Sequence, residues 1–269
     1  PLTGLCRIRT VLRPVRDYGA RAPNVVQGSN HISYVSEGSA FRVTTDASVS
    51  YVMSGSGFVL TRPLHFILHP DETLPDAPER ICADFSDRTR EFWFGWVRTL
   101  NVPFDWQEAV IRASITLLLC SFAETGAIVA ALTTSIPESP DSERNWDYRF
   151  CWIRDAHFTV QALNRVGASR TMERFIEYIA NVIALERRPT LKPVYGVLPE
   201  SDLEERIVTT LAGYRGQGPV RVGNAAVSQT QHDVYGGVIL AASQMFFDER
   251  LPVKGDVALF ERLEPLGMM

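Results

Sequence analysis

A chain of 269 residues, 45% hydrophobic and 22% charged, has globular composition and enough length for one large or two ordinary domains. Its net charge of −4 and pI of about 5.8 argue against nucleic acid or an anionic membrane as the main partner. No apolar run reaches the ~18 residues of a membrane-spanning helix, the richest being only residues 115–120.

The chain opens on Pro1 with no basic-then-apolar leader behind it. A native chain ordinarily begins with Met, so a processed or partial product is expected. Residues 5–13 alternate, with Cys6, Ile8, Thr10 and Leu12 opposite Arg7, Arg9, Val11 and Arg13. This predicts a half-buried strand whose basic side is a solvated face rather than a phosphate surface. Further strands are predicted over 31–36, 40–45, 49–53, 58–61 and 64–68, and short strands at this spacing suit a sandwich or barrel.

Residues 70–80, rich in Pro, Asp and Glu, read as a linker. Phe85, Thr89, Phe92, Trp93, Trp96, Val97 and Leu100 then fall on one face of an amphipathic helix, with Trp93 and Trp96 as core or interdomain packing. From Asp105 the period is helical throughout. A helix to about residue 122, apolar nearly all round, is expected to be buried on several sides. Gly126 breaks it.

A helix over about 155–166 ends at Gly167, and Ser169 caps the next, whose stripe is Met172, Phe175, Ile176, Ile179 and Ile183. After a loop through Pro189, Pro193 and Pro199, the pattern predicts a short helix over 203–211. A long one follows over 225–247, with Val227, Val234, Val238, Ala242 and Met245 on one face and Gln231 intruding. Cys6, Cys82, Cys120 and Cys151 lie far apart, without CxxC or nearby His. Four reduced thiols in a cytoplasmic protein are expected, with no metal site and no cofactor.

Between the Ser-, Pro- and Thr-rich stretch 133–145 and the helix from Asp155 runs Asn145-Trp146-Asp147-Tyr148-Arg149-Phe150-Cys151-Trp152-Ile153-Arg154-Asp155-Ala156. If it is extended, Trp146, Tyr148, Phe150 and Trp152 share one face, and Asp147, Arg149, Cys151 and Ile153 the other. The aromatics alone could simply plug a core. Arg154 and Asp155 add a second feature, since they arrive where the helix begins and Asp155 can cap it with an oxygen to spare. Such a cluster suits a sugar, whose hydroxyls need fixed donors and acceptors and whose C–H face packs on an aromatic ring. A plain helix-capping ion pair is the alternative for Arg154 and Asp155.

The segment 145–156 resembles the signature of glycoside hydrolase family 15, the glucoamylase-like enzymes with trehalase-like relatives. The stretch from Glu124 through Thr133-Thr134-Ser135-Ile136-Pro137-Glu138 is similar to the family's approach to it. Gly213-Tyr214-Arg215-Gly216 and Pro219-Val220-Arg221-Val222-Gly223-Asn224-Ala225, followed by Gln229, Gln231 and Asp233, resemble its next landmark. Arg13 to Gly19 is similar to a segment well inside the family's N-terminal β-sandwich.

The resemblance implies a multidomain β + α protein. Residues 1–75 would be the C-terminal part of an antiparallel β-sandwich, 76–103 a connecting helix, and 104–269 roughly the first half of an (α/α)6 toroid. It implies hydrolysis of α-glucosidic bonds, at the non-reducing end of oligosaccharides or in trehalose, by an inverting acid–base mechanism. Neither the family's acid motif nor its base motif has a counterpart in the sequence, so no catalytic residue is assigned and the chain alone is expected to be inactive. Glu261 and Glu264 read as solvated helix surface. By the resemblance, Arg154 and Asp155 bind hydroxyls of the terminal glucose, Trp152 forms its wall and Tyr148 lies near the anomeric centre. Arg221, Asn224 and Gln231 line the same mouth. His157 and His232 read as ordinary helix neighbours. The expected partner is an α-glucoside oligosaccharide or trehalose, and an incomplete sandwich would leave strand edges for self-association. A non-catalytic sugar-binding protein of the same fold is the alternative.

Overall fold

The computed structural model describes residues 6–186, 190–198 and 202–268. The chain divides into two compact units, residues 1–95 and 96–269. The first carries small antiparallel sheets and the second is mainly helical.

In the first unit β1 (Cys6–Ile8), β2 (Asn24–Gln27), β3 (His31–Ser36) and β4 (Ser39–Thr45) precede a one-and-a-half-turn helix, α1 (Val49–Ser54). β5 (Phe58–Leu60) and β6 (Phe66–Pro70) follow. The sheet order is β2-β3-β4-β6, with β1 and β5 as a separate pair. Alternation in β3 turns Ile32 and Tyr34 inward, and Tyr34 stacks on its cross-strand partner Phe41 at 5.1 Å, the kind of pair that fixes register.

The strand expected over 49–53 is instead α1. Val49 and Val52, three residues apart, both become buried against Ile32, Tyr34 and Val43, a spacing that a helix satisfies and a strand does not. Gly55 closes it in the left-handed conformation, φ 62°, its N–H bonded to the carbonyls of Tyr51 and Val52, the ordinary glycine stop. β2 went unpredicted because all four of its residues are exposed, so no alternation marks it. The strand expected over 5–13 is shorter, three residues paired with β5.

α2 (Pro78–Val97) has the predicted period but none of its residues is buried, and Phe85, Phe92 and Phe94 are exposed. Trp96, however, packs against the core of the second unit.

α3 (Gln107–Leu119) corrects a second expectation. Apolar on most sides, it buries only Ser114, and Leu119 is exposed.

The core of this unit is built by β7 (Cys151–Trp152), α4 (Ile153–Arg165), α5 (Ser169–Leu185), β8 (Val194–Tyr195) and α6 (Asp233–Ala242). α4 turns in Ile153, Ala156, Val160 and Leu163. All five residues of the predicted α5 stripe are buried, together with Tyr178 and Val182. Each such large side chain contributes about 1.5–3 kcal/mol. Ser169 does not cap α5: the N-cap is Ala168, without a side-chain bond. Gly167 ends α4 as expected, with φ 72°.

The helix expected over 203–211 is absent. Arg206–Val208 forms β9, paired antiparallel with β10 (Val220–Val222); the run is short and β-branched, which suits a strand. The long helix over 225–247 is broken into a 3-10 turn (Ala225–Ser228), α6 and α7 (Gln244–Phe247), ahead of α8 (Val257–Leu263). Asn224 starts the first piece, its side-chain oxygen accepting from the Ala226 N–H and capping the turn. Pro189 and Pro199 of the predicted loop lie outside the described residues.

No helix among the described residues is long and apolar enough to cross a membrane, and none of their His, Cys, Asp and Glu side chains group to hold a metal ion. All four cysteines are free. Cys151 is completely buried, and burial pushes its thiol up to about 12. Alkylation with iodoacetamide at pH 8 is therefore expected at Cys6, Cys82 and Cys120 well before Cys151. Peptide mass mapping that found all four labelled at one rate would refute this placement.

Candidate functional site

The signature stretch lies extended beside residues 130–135. Ala130 N–H donates to the Phe150 carbonyl at 2.9 Å, Ala131 N–H to Tyr148 at 3.0 Å and Ser135 N–H to Trp146 at 3.0 Å. The expected alternation follows. Asp147, Cys151 and Ile153 are wholly buried, whereas Trp146, Tyr148 and Trp152 reach a cleft of ≈ 490 Å³. Phe150 shares the aromatic face but packs with Trp152 against Val194, Leu203 and Ala226.

Asp147 holds the cleft together from behind. Its carboxylate receives Arg149 through Nε at 2.9 Å and Nη2 at 2.8 Å. It also accepts the Gly223 N–H at 3.3 Å, and its carbonyl accepts the Asn224 side chain at 3.3 Å. Asn145, equally buried, donates to the carbonyls of Gln217 and Pro219 at 3.2 and 3.0 Å. These bonds bring two distant landmarks together. Gly223 lets the chain pass there: its φ is +83°, and a Cβ would stand 2.2 Å from the Glu204 carbonyl oxygen.

Arg154 and Asp155 open α4 on the cleft. Asp155 stands in the first turn but does not cap it; the N-cap is Trp152, with no side-chain bond. The Arg154 Nε lies 3.6 Å from Asp155 and 4.0 Å from Asp233, and its guanidinium rests over the Trp152 ring at 5.6 Å. Both side chains of the Arg154–Asp155 pair are about half exposed. Their pairing is loose, which leaves hydrogen-bonding capacity for a ligand. α6 comes close enough to bring Asp233 here because Gly237 faces the start of α4, where a Cβ would meet the Ile153 and Arg154 carbonyl oxygens at 3.3 and 3.4 Å.

Of the seven predicted sugar contacts, Tyr148, Trp152, Arg154, Asp155 and Asn224 line the cleft. Arg221 and Gln231 do not. Arg221 stands behind the wall, its Nη1 on Glu205 at 2.9 Å and its guanidinium over Trp146 at 5.3 Å. Gln231 donates to Gln229 at 2.9 Å, and Gln229 is the one that reaches the cleft.

Sequence reasoning missed Glu138, Arg144, Trp146, Glu205 and Gln229 as lining residues. Glu138 accepts from Trp146 Nε1 at 3.1 Å, Tyr148 Oη at 3.5 Å and Arg144 Nε at 2.6 Å. Burial, and next the Glu138 carboxylate, push the Tyr148 phenol above its ordinary range, so it stays a neutral hydroxyl. A carboxylate eight residues before Trp146 carried no local signal; Glu205 likewise lies in a stretch misread as helix. Glu261 and Glu264 are exposed, His157 borders a separate groove between α3 and α4, and none of these three lines the cleft.

The cleft thus offers aromatic faces, a loosely paired Arg–Asp couple and two further carboxylates held by arginines. Such a surface has the chemistry to receive a neutral polyhydroxylated ring, with hydrogen bonds at the ring's edge and dispersion at its face.

Residues 106–262 match the family described as glycosyl hydrolases family 15. Among curated proteins, the chain is 38% identical over 174 residues to a trehalase of Mycobacterium tuberculosis (strain ATCC 25618 / H37Rv), covering 63% of this chain and 25% of that one. It is 40% identical over 161 residues to a trehalase of Mycolicibacterium smegmatis (58% and 24%). A trehalase of Thermoplasma volcanium is 37% identical over 157 residues (58% and 25%). The chain spans about a quarter of the length of these relatives. No solved structure matches it.

Proposed function

The chain belongs to glycosyl hydrolases family 15, and from that membership we propose that it forms part of an inverting hydrolase of α-glucosidic bonds, with trehalose as substrate. Residues 104–269 then supply the N-terminal part of an (α/α)6 barrel, 1–75 part of a β-sandwich, and 76–103 the connection. The relatives named above are trehalases, which favours trehalose over a maltooligosaccharide.

In this reading the Arg154 guanidinium donates to, and the Asp155 carboxylate accepts from, hydroxyls of the terminal glucose. Trp152 walls the ring. The neutral Tyr148 hydroxyl stands beside the anomeric carbon, where its oxygen faces the positive charge that develops as the bond breaks. Asn224 shapes the mouth, with Arg221 and Gln231 supporting it from outside. Inversion further needs an acid for the leaving oxygen and a base for water, roughly 6.5–9.5 Å apart. Glu138 and Glu205, both fixed by arginines, are assigned to the wall of the site, and the acid and base to segments beyond these 269 residues. The observation that carries the reading is the convergence of Tyr148, Trp152, Arg154 and Asp155 on one cleft.

The intact protein that carries this chain is expected to release glucose from trehalose, with α and β anomers appearing at first in equal amounts when followed by proton NMR, the β from the inverted ring and the α from the leaving one. The 269 residues alone are expected to show no turnover. Failure of the intact protein to hydrolyse any α-glucoside would overturn the proposal, as would robust hydrolysis by the isolated chain for the assignment of acid and base.

A further inference from the structure

Trp146 is held more firmly than a wall residue requires. Its indole N–H is bonded to Glu138 at 3.1 Å, which Arg144 secures in turn. One face of the ring is covered by the Arg221 guanidinium at 5.3 Å. Arg221 is itself anchored: its N–H donates to the Ser135 Oγ at 2.8 Å, its carbonyl accepts from the hydroxyls of Thr134 and Ser135, and its Nη1 bonds Glu205. Arg221 lies outside the cleft while Trp146 lines it. The ring is therefore fixed at its edge and backed on one side, with its remaining surface turned to the ligand.

Trp152 differs, since the cation over its ring, Arg154, itself lines the cleft. Along the extended face the order is Trp146, Tyr148, Trp152. Two indoles thus flank the one phenol, and Trp146 is the one backed from outside the cleft.

We propose that Trp146, pinned by Glu138 and Arg221, is the stacking platform for the second sugar unit, the one that leaves with the broken bond. This deepens the reading above and rests on it: the terminal glucose occupies Trp152, Arg154 and Asp155, the anomeric carbon lies at Tyr148, and the second ring lies on Trp146. A preset aromatic face loses little entropy on binding and packs the C–H face of a pyranose. Arg221 and Glu138 act through Trp146 and are positioning residues.

The test compares trehalose with α-D-glucosyl fluoride, which carries the same first sugar and a leaving group too small to reach Trp146. In the intact protein, Trp146→Ala is expected to lower kcat/KM on trehalose about 10- to 30-fold, chiefly through KM, and to leave fluoride release within about twofold of wild type. Trp146→Phe, which keeps a smaller face, serves if the alanine variant does not fold; its expected loss is about threefold, on trehalose alone. Arg221→Gln is expected to show the same selectivity, with restoration by Arg221→Lys incomplete because a lysine cannot cover the ring as a plane. Equal losses on both substrates, or none on either, overturn the platform. A wild-type protein that turns over neither substrate overturns instead the reading on which the platform rests.

Discussion

Replacing Asp155 by alanine in the intact protein is expected to lower kcat/KM on trehalose by about 100-fold or more while leaving the thermal midpoint nearly unmoved. The two expectations come from the same geometry. Asp155 is about half exposed and its nearest cation, Arg154, stands 3.6 Å away, a separation and exposure at which an ion pair contributes roughly 0–1 kcal/mol to stability. The same looseness leaves carboxylate lone pairs open to sugar hydroxyls. A hydrogen bond to a charged group contributes about 1.5–3 kcal/mol, and two of them, tightened as the ring flattens, account for the loss in rate. Asp155→Asn keeps the size and one acceptor, so an intermediate loss is expected. Steady-state kinetics together with a melting curve decide the matter. Unchanged kcat/KM would remove Asp155 from the site, and a large drop in melting point would turn it into a structural residue.

The neighbouring carboxylate on the other face behaves in the opposite way. Asp147→Ala is expected to destabilise the second unit by about 2–4 kcal/mol, since a wholly buried carboxylate and its charge-assisted hydrogen bonds are lost while Arg149 stays partly solvated. For a unit of this size that is roughly a 4–16 °C fall in melting temperature. Asp147 is completely buried, bonded twice to the Arg149 guanidinium and once each to the Arg149 and Gly223 N–H groups. Its removal breaks the link to Gly223 and frees the loop that carries Asn224. Adding Arg149→Met to Asp147→Ala is expected to cost less than the same change made alone, since the pair is already broken. Differential scanning calorimetry of the single and double variants measures both effects; a single variant melting within 2 °C of the parent would show that the pair does not hold the cleft.

Asp147 and Asp155 look alike in sequence, each next to or near an arginine in the same dozen residues. Their different fates follow from backbone parity. In an extended segment side chains alternate, so odd positions 147, 151 and 153 fall inward together and even positions 146, 148 and 152 fall on the cleft. That much could be read directly from the order of residues. What parity could not tell was how the inward carboxylate would be satisfied. Its partners include Gly223, 76 residues away.

The misread segments have a common cause. Residues 49–53 and 203–211 are short segments with few apolar positions, for which periodicity alone does not separate helix from strand; a neighbouring sheet in one case and β10 in the other made the choice. The helix expected over 225–247 is interrupted at Gln229, which takes the extended conformation, φ −85° and ψ 152°, after the 3-10 turn that Asn224 caps. α5, by contrast, has seven buried residues at helical spacing, and its length leaves no rival pattern.

The amino-acid order by itself determined the family, the aromatic and charged make-up of the 145–156 stretch and which of its side chains would face together, because those properties depend on residue type and on a local repeat of two. Only the tertiary structure decided which distant groups complete the cleft. It brought Glu138 and Glu205 to the wall and put Arg221 behind Trp146 rather than against the ligand. The reason is that contacts between segments depend on the path of the whole backbone, held here by the buried Asn145 and Asp147, and no local pattern encodes that path.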